Sequence, residues 1–192
     1  MVGPQEVLEF WLDEVGREGW YKADETLDAT IRERFQETWE AAGREALCAW
    51  KQTPRDMLAL IVLTDQFPRN MFRGDGRSFA TDGLARKYAK WAIDHDWDLT
   101  VPEPERQFFY LPLMHAECLT DQERCIRMMK ERMPETGADN LLHAKAHRQV
   151  IRQFGRFPHR NAALRRPSTP QELAYVADGG YGATVRALQS AA

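Results

Sequence analysis

Four short groups of polar side chains have residue types and spacing that could do chemistry. Asp65, Gln66, Arg69, Asn70 and Arg73 follow the most apolar segment, Met57-Leu-Ala-Leu-Ile-Val-Leu63. His115 and Glu117 form a second group, His143 and His147 a third, and Arg156, His159, Arg160 and Asn161 a fourth. Arginine beside asparagine suits an anion, because a guanidinium presents a planar fork of donors that matches carboxylate or phosphate. The fourth group leads into Ser168-Thr-Pro170, a helix start whose open backbone N–H groups also favour negative charge. Asp65, Arg69, Asn70, Arg73, His147, Arg156, Arg160 and Asn161 are therefore candidate ligand-binding residues for a small anion. If the pocket is catalytic, His115 and Glu117 are its candidate acid and base, with arginines stabilising developing charge. The same residue types also serve as a structural lock, in which arginines pair with Asp65, Glu117 or Asp82 and with helix-end carbonyls.

The histidines raise the question of a metal. His143 and His147 are four residues apart and share one helix face, the spacing of two ligands. His115 or Glu117 could add a third, and a metal-assisted hydrolase is then the alternative function. The pair lacks the glutamate that follows the first histidine of a metalloprotease helix, and His115 and Glu117, two apart, point to different sides of a regular helix. No bound transition metal is expected, and His147 then reads as a hydrogen-bonded core histidine with His143 at the surface. Gly74-Asp-Gly76 has turn chemistry and lacks the Walker spacing and lysine, so no cofactor is expected. Cys118 and Cys125 read as small buried residues, and Ser78 and Ser168 lack a nucleophile elbow.

The elements that must carry these groups read as helices throughout. Pro4 opens one, with Val7, Leu8, Trp11 and Leu12 on one face. A second begins near Asp24 to Thr26, buries Leu27, Ile31, Phe35, Thr38 and Trp39, and bends or breaks at Gly43. Arg55 to Phe67 is apolar nearly all round, the mark of a central helix. Further helices are expected from Ser78 to His95, from Glu103 to about Cys118 with a kink at Pro112, and from Asp139 to Phe154. Thr120-Asp-Gln-Glu123 and Thr169-Pro-Gln-Glu172 both have the capping-box pattern. The block Gln66-Phe-Pro-Arg-Asn70 is echoed by Arg156-Phe-Pro-His-Arg-Asn161, each expected to end a strong helix, since the residue before proline is pushed out of the α region. No alternating β-branched run appears. The expected fold is all-α: about eight or nine helices stacked as antiparallel pairs, in one domain over residues 1–178, with residues 179–192 as a loose tail.

Composition narrows the partners. Hydrophobic residues at 43% and charged residues at 29% are those of a globular chain, not a disordered one. A net charge of −3 gives no overall basic field, so no nucleic-acid partner is expected. No apolar run approaches a membrane span, and no signal peptide is visible. Three cysteines without a CxxC spacing fit a reducing compartment, which makes the cytoplasm the expected location.

Three segments in order resemble one family. They are Leu63-Thr-Asp-Gln-Phe-Pro-Arg-Asn-Met-Phe-Arg-Gly74, Phe109-Tyr-Leu-Pro-Leu-Met-His-Ala-Glu117, and Phe154-Gly-Arg-Phe-Pro-His-Arg-Asn161 with Ser168-Thr-Pro-Gln-Glu172; Val7-Leu-Glu-Phe-Trp11 fits as well. Together they resemble an uncharacterised, mainly bacterial family called domain of unknown function 924. Arg165-Arg166 departs from a leucine, glycine and arginine run usual there. The resemblance implies an all-helical fold similar to tetratricopeptide repeats and implies no activity. Two functions of different class stay open: a pocket for a small anionic ligand, or a helical-repeat module that presents a groove to a peptide or protein partner. The pocket reading expects Arg69, Arg160, His115 and Glu117 around one cavity. The sequence leaves the oligomeric state undetermined.

Overall fold

The structure, a computed structural model, describes residues 1–191. Among the described residues every regular element is helical and none is a strand. The chain divides into two compact units, Met1–Pro112 and Leu113–Ala192. No stretch of linker composition marks that division, which falls inside the short helix Leu111–Met114.

In the first unit, α1 (Pro4–Leu8) runs into a π-helical stretch, Glu9–Val15. The widened turn has a visible cause. The Trp11 carbonyl accepts the N–H of Gly16, five residues on, together with the indole Nε1–H of Trp20 at 2.7 Å. A short helix, α2 (Gly16–Gly19), follows. The next, α3 (Glu25–Gly43), starts where its cap dictates: the Asp24 carboxylate accepts from the N–H groups of Thr26 and Leu27 at 2.8 and 2.9 Å. Ile31, Phe35, Thr38 and Trp39 are its buried stripe. Pro54 at the first position and Thr53 at the cap open α4 (Pro54–Asp65), in which every residue from Met57 to Asp65 is buried. It packs against α1 and α3.

The helical path then departs from expectation at Pro68. Gln66 keeps α backbone angles, and α5 (Phe67–Met71) begins with the proline in its first turn. A proline there gives up an N–H that has no intrahelical partner anyway, so it restarts the helix and does not end it. The expected helix from Ser78 is shorter. Gly76–Phe79 is a 3₁₀ turn with Ser78 bonded to the Phe72 carbonyl, and α6 spans Asp82–Asp94 against α4. The expected kinked helix over Glu103 to Cys118 is instead a 3₁₀ turn, Glu105–Phe109, followed by α7 (Leu111–Met114). Pro112 has no N–H for the carbonyl four residues back, and no longer helix forms across it.

In the second unit, α8 (Leu119–Arg132) starts one residue before the supposed capping box, without a side-chain cap. Glu123 is used elsewhere: it pairs with Arg148 at 2.9 Å and Arg152 at 2.8 Å on α9 (Ala138–Phe154). That helix ends at Gly155, which is left-handed at φ 69° and closes the last turn with a bond to the Ile151 carbonyl. The second capping box forms as expected at the start of α10 (Pro170–Ala177). Residues 180–190, expected as a loose tail, form α11 (Gly180–Ser190), which packs on α9 and α10. Tyr181, Thr184, Val185 and Leu188 fall at helical spacing and are half-buried, and Tyr181 joins the core of Val150, Ile151 and Phe157.

Candidate functional site

The first polar block belongs to the unit Met1–Pro112 and is densely paired there. The Arg69 guanidinium lies 3.0 Å from Asp82 Oδ1 and 3.4 Å from Asp65 Oδ1, and it also donates to the Asp65 carbonyl. Gln66 Nε2 donates to Asp65 Oδ2 at 2.6 Å. Asn70 donates to Asp28 Oδ1 at 2.8 Å, and Arg73 grips the same carboxylate through Nε and Nη2. Asp28 thus ties α3 to the exit of α5. The sequence reading missed it, because a lone aspartate on an amphipathic helix gives no local signal.

The second block belongs to the other unit and is built around two carboxylates. Glu117 receives Arg166 Nη1 on Oε2 at 2.7 Å and Arg166 Nη2 on Oε1 at 2.9 Å. The Phe157 N–H adds a bond to Oε1 at 2.8 Å. Burial pushes the Glu117 carboxyl up, but the Arg166 bonds, the Phe157 amide and the charges of Arg166 and Arg160 together hold it below the usual carboxylate range. Glu172 accepts Arg156 Nε and Nη2 at 2.6 and 2.8 Å and the Thr169 N–H at 2.7 Å. Arg156 first, and then the Thr169 amide, hold its carboxyl at about 2. Asn161 joins the two pairs, accepting Arg166 Nε at 3.1 Å and donating to Ser168 Oγ at 3.0 Å and to Glu172 at 3.3 Å. The run Glu117, Arg166, Asn161, Glu172, Arg156 is one connected network. Its key cation, Arg166, stands where the sequence departs from the resemblance, and that departure was the only signal for it.

Beside this network lies a cluster of imidazoles. His147, on α9, has its ring 6.3 Å from that of His115, 5.4 Å from Phe157 and 4.6 Å from Tyr181. His159 packs 5.6 Å from Phe157, and the Arg160 guanidinium stands 4.7 Å over the same ring. Arg160 Nη2 also donates to the His115 carbonyl at 3.0 Å. Burial pushes the His147 imidazole down to about 3; the His143 carbonyl opposes that, and the nearby His115, His159 and Arg160 reinforce it. His147 is therefore a neutral ring within reach of the Arg160 charge. Its Nδ1 bonds the His143 carbonyl at 2.9 Å, and His143 Nδ1 bonds the Tyr181 hydroxyl at 2.5 Å. Tyr181 was not singled out in the sequence, where it is hidden among the glycines of the supposed tail.

Among the expected site residues, the second unit thus gathers His115, Glu117, His147, Arg156, Arg160 and Asn161. Asp65, Arg69, Asn70 and Arg73 are grouped within the first unit. Among the described residues, no three His, Cys, Asp or Glu side chains are gathered to hold a metal ion. None of the described helices is long and apolar enough to cross a membrane. An open depression of about 580 Å³ lies on the second unit, lined by Gln153, Phe154, Arg156, Thr169, Gln171 and Glu172.

Comparison with known proteins fits this picture. No curated protein matches the chain. The solved structure of a protein of unknown function from Agrobacterium tumefaciens is similar, with 40% sequence identity and a TM-score of 0.84 over 90% of this chain and 96% of that one. A family model described as bacterial protein of unknown function (DUF924) matches residues 7–180. With the match running through both units and through every polar block described above, the chain belongs to the DUF924 family of bacterial proteins of unknown function.

Proposed function

We propose that the unit Leu113–Ala192 binds a small anionic molecule at the cluster of His115, His147, His159 and Arg160. The observation that carries this reading is a gathering of imidazoles and a guanidinium beside Phe157. Glu172 is bonded by Arg156, and Glu117 is bonded by Arg166 and also feels the charge of Arg160. We assign Glu117 to holding Arg166 and the Phe157 amide, and place the contact with ligand on His147, His159 and Arg160. Asn161 and Arg156 belong to the neighbouring network of Glu117, Arg166 and Glu172. In the first unit Asp65, Arg69, Asn70 and Arg73 act as a lock on the α4–α5 junction.

The test is a screen of small carboxylates and inorganic phosphate by isothermal titration, run on the full chain and on His159→Gln and Arg160→Gln. Binding by the wild-type chain that is weakened in both variants, with thermal melts showing them folded, is the expected result. Binding unchanged in both variants would overturn the site. A second reading, a tetratricopeptide-like module that holds a peptide, has one observation in its favour. Leu173 and Val176 of α10 are 60% and 50% exposed on the same short helix whose first turn lines the open depression. Under that reading, Leu173→Asp abolishes binding of an amphipathic helical peptide, followed by fluorescence anisotropy, and leaves anion binding intact.

A further inference from the structure

We propose that the outer face of α10 is a two-fold contact with a second copy of this chain, in which two α10 helices lie antiparallel. This contact does not depend on the anion site, and it gives to a second copy the face that the peptide reading leaves to a peptide. α10 is an inverted helix. Of its eight residues only Glu172 is buried, and Tyr175 is half-buried. Pro170, Leu173, Ala174, Val176 and Ala177 are all exposed, Leu173 and Val176 being the large ones. A surface helix ordinarily turns its apolar residues inward, as α6 does with Ala85, Ala89 and Ile93. In α10 the reverse holds, because Arg156 and the Thr169 N–H keep the Glu172 carboxylate on the inside. Its aliphatic side chains are left facing out.

The face fits its own two-fold image. At about 3.6 residues per turn, Pro170, Leu173, Ala174 and Ala177 form one stripe on the side away from Glu172 and Tyr175. Its midpoint lies between Leu173 and Ala174. A second helix related by a two-fold axis at that midpoint sets Leu173 beside Leu173 of the second copy and Pro170 against its Ala177. The small Ala174 and Ala177 let the two backbones come close. The same rotation pairs unlike ends. Asp178 is exposed and has no ion-pair partner among the described residues. It comes opposite the Thr169 cap and first turn of the facing helix, where the helix dipole favours negative charge. The carboxylate of that turn, Glu172, is already bonded by Arg156. A parallel pairing would instead bring the two Asp178 carboxylates together. A contact of this kind uses one patch twice and closes on itself, as in most homodimers. A helix of eight residues covers less than a standard interface, so the dimer is a weak one, formed at micromolar concentrations and above.

Sedimentation velocity of the full chain, from about 1 to 500 μM, measures the association. The mass is expected to rise from the 22.2 kDa of one chain toward twice that value. Leu173→Asp is expected to stay at one chain throughout, with an unchanged thermal melt because the position is exposed. Cross-linking tests the two-fold axis itself. Leu173→Cys, with Cys48 and Cys118 both replaced by serine, is expected to form a disulfide-linked dimer under mild oxidation, since helices about 8 Å apart bring that position within disulfide reach of its own copy. Ala187→Cys, exposed on α11, is expected to stay unlinked in the same background. A chain of single mass up to 500 μM would overturn the proposal, and binding of an amphipathic helical peptide by that single chain would give the face to the peptide reading. Association left intact by Leu173→Asp, or cross-linking as efficient at Ala187→Cys, would overturn it as well.

Discussion

His147 holds an uncharged imidazole where a proton is costly, and that makes it a sensor of acid in the folding equilibrium. Its folded pKa of about 3 lies below the ordinary value of about 6.5 for an unfolded histidine. Between those values the unfolded chain binds a proton that the folded chain refuses. Stability conferred by the neutral ring is complete above about pH 6.5 and is lost as pH falls toward 3, by up to about 1.4 kcal/mol per pH unit. Urea denaturation of the wild-type chain and His147→Phe at pH 7 and pH 5 is expected to show a steeper loss in the wild type; parallel losses would contradict it. Glu117 and Glu172 act in the opposite sense, their folded values lying below the carboxylate range. Their contribution is complete above about pH 4.5 and fades below it, so between pH 6.5 and 4.5 these two carboxylates stay charged, and the comparison with His147→Phe singles out His147. Arg166 supplies the second residue-scale test. Arg166→Ala leaves a half-buried Glu117 with the Phe157 amide and the more distant charge of Arg160, and is expected to cost about 1–2 kcal/mol, between an exposed and a buried pair. Arg166→Lys recovers only part of that, because an ammonium cannot reproduce the two parallel bonds. Denaturant midpoints of the two variants decide it.

At the scale of elements, local chemistry fixes several boundaries and can be tested at them. Thr169 caps α10 while Glu172 reaches back to the Thr169 N–H, so Thr169→Ala is expected to cost about 1 kcal/mol in a thermal or denaturant melt. Gly155 ends α9 at φ 69° with open space where a Cβ would stand. Gly155→Ala therefore costs about 1–2 kcal/mol through backbone strain and not through crowding; an unchanged midpoint would refute that origin. The elements read well from the sequence are those with such signals: Asp24 before α3, Thr53 and Pro54 before α4, Thr169 before α10. The misreadings have physical reasons too. Pro68 was read as a stop, yet proline is also a good start. Thr120 had the capping-box pattern, but Glu123 pairs across to Arg148 and Arg152 on α9. The π-helical turn at Trp11 depends on the Trp20 indole, a contact that no period in the sequence encodes.

For the whole molecule, the sequence carried the all-α class and the two arginine blocks, but not the division into units or the partners inside each. Asp28 reaching Arg73, and Glu117 reaching Arg166, are long-range pairs joined by folding, and single-sequence patterns do not hold that information. The net charge of −3 also hides an asymmetry. Basic residues outnumber acidic ones in Leu113–Ala192, and the reverse holds in Met1–Pro112. A field that favours anions at the second unit makes their capture sensitive to salt. The affinity for inorganic phosphate is expected to fall measurably between low and physiological ionic strength, and an affinity independent of salt would count against charge as the source of binding.

The central claim, that an anion settles among His115, His147, His159 and Arg160, is tested most directly by following all five histidines at once. The full chain labelled with ¹⁵N in histidine is titrated with inorganic phosphate, and the imidazole resonances are read at each step. His95 lies in the other unit and stacks on Trp91, so it serves as the internal control. The account predicts saturable shifts at His115, His147 and His159 with His95 unmoved; shifts absent from those three, or confined to His95, would contradict it.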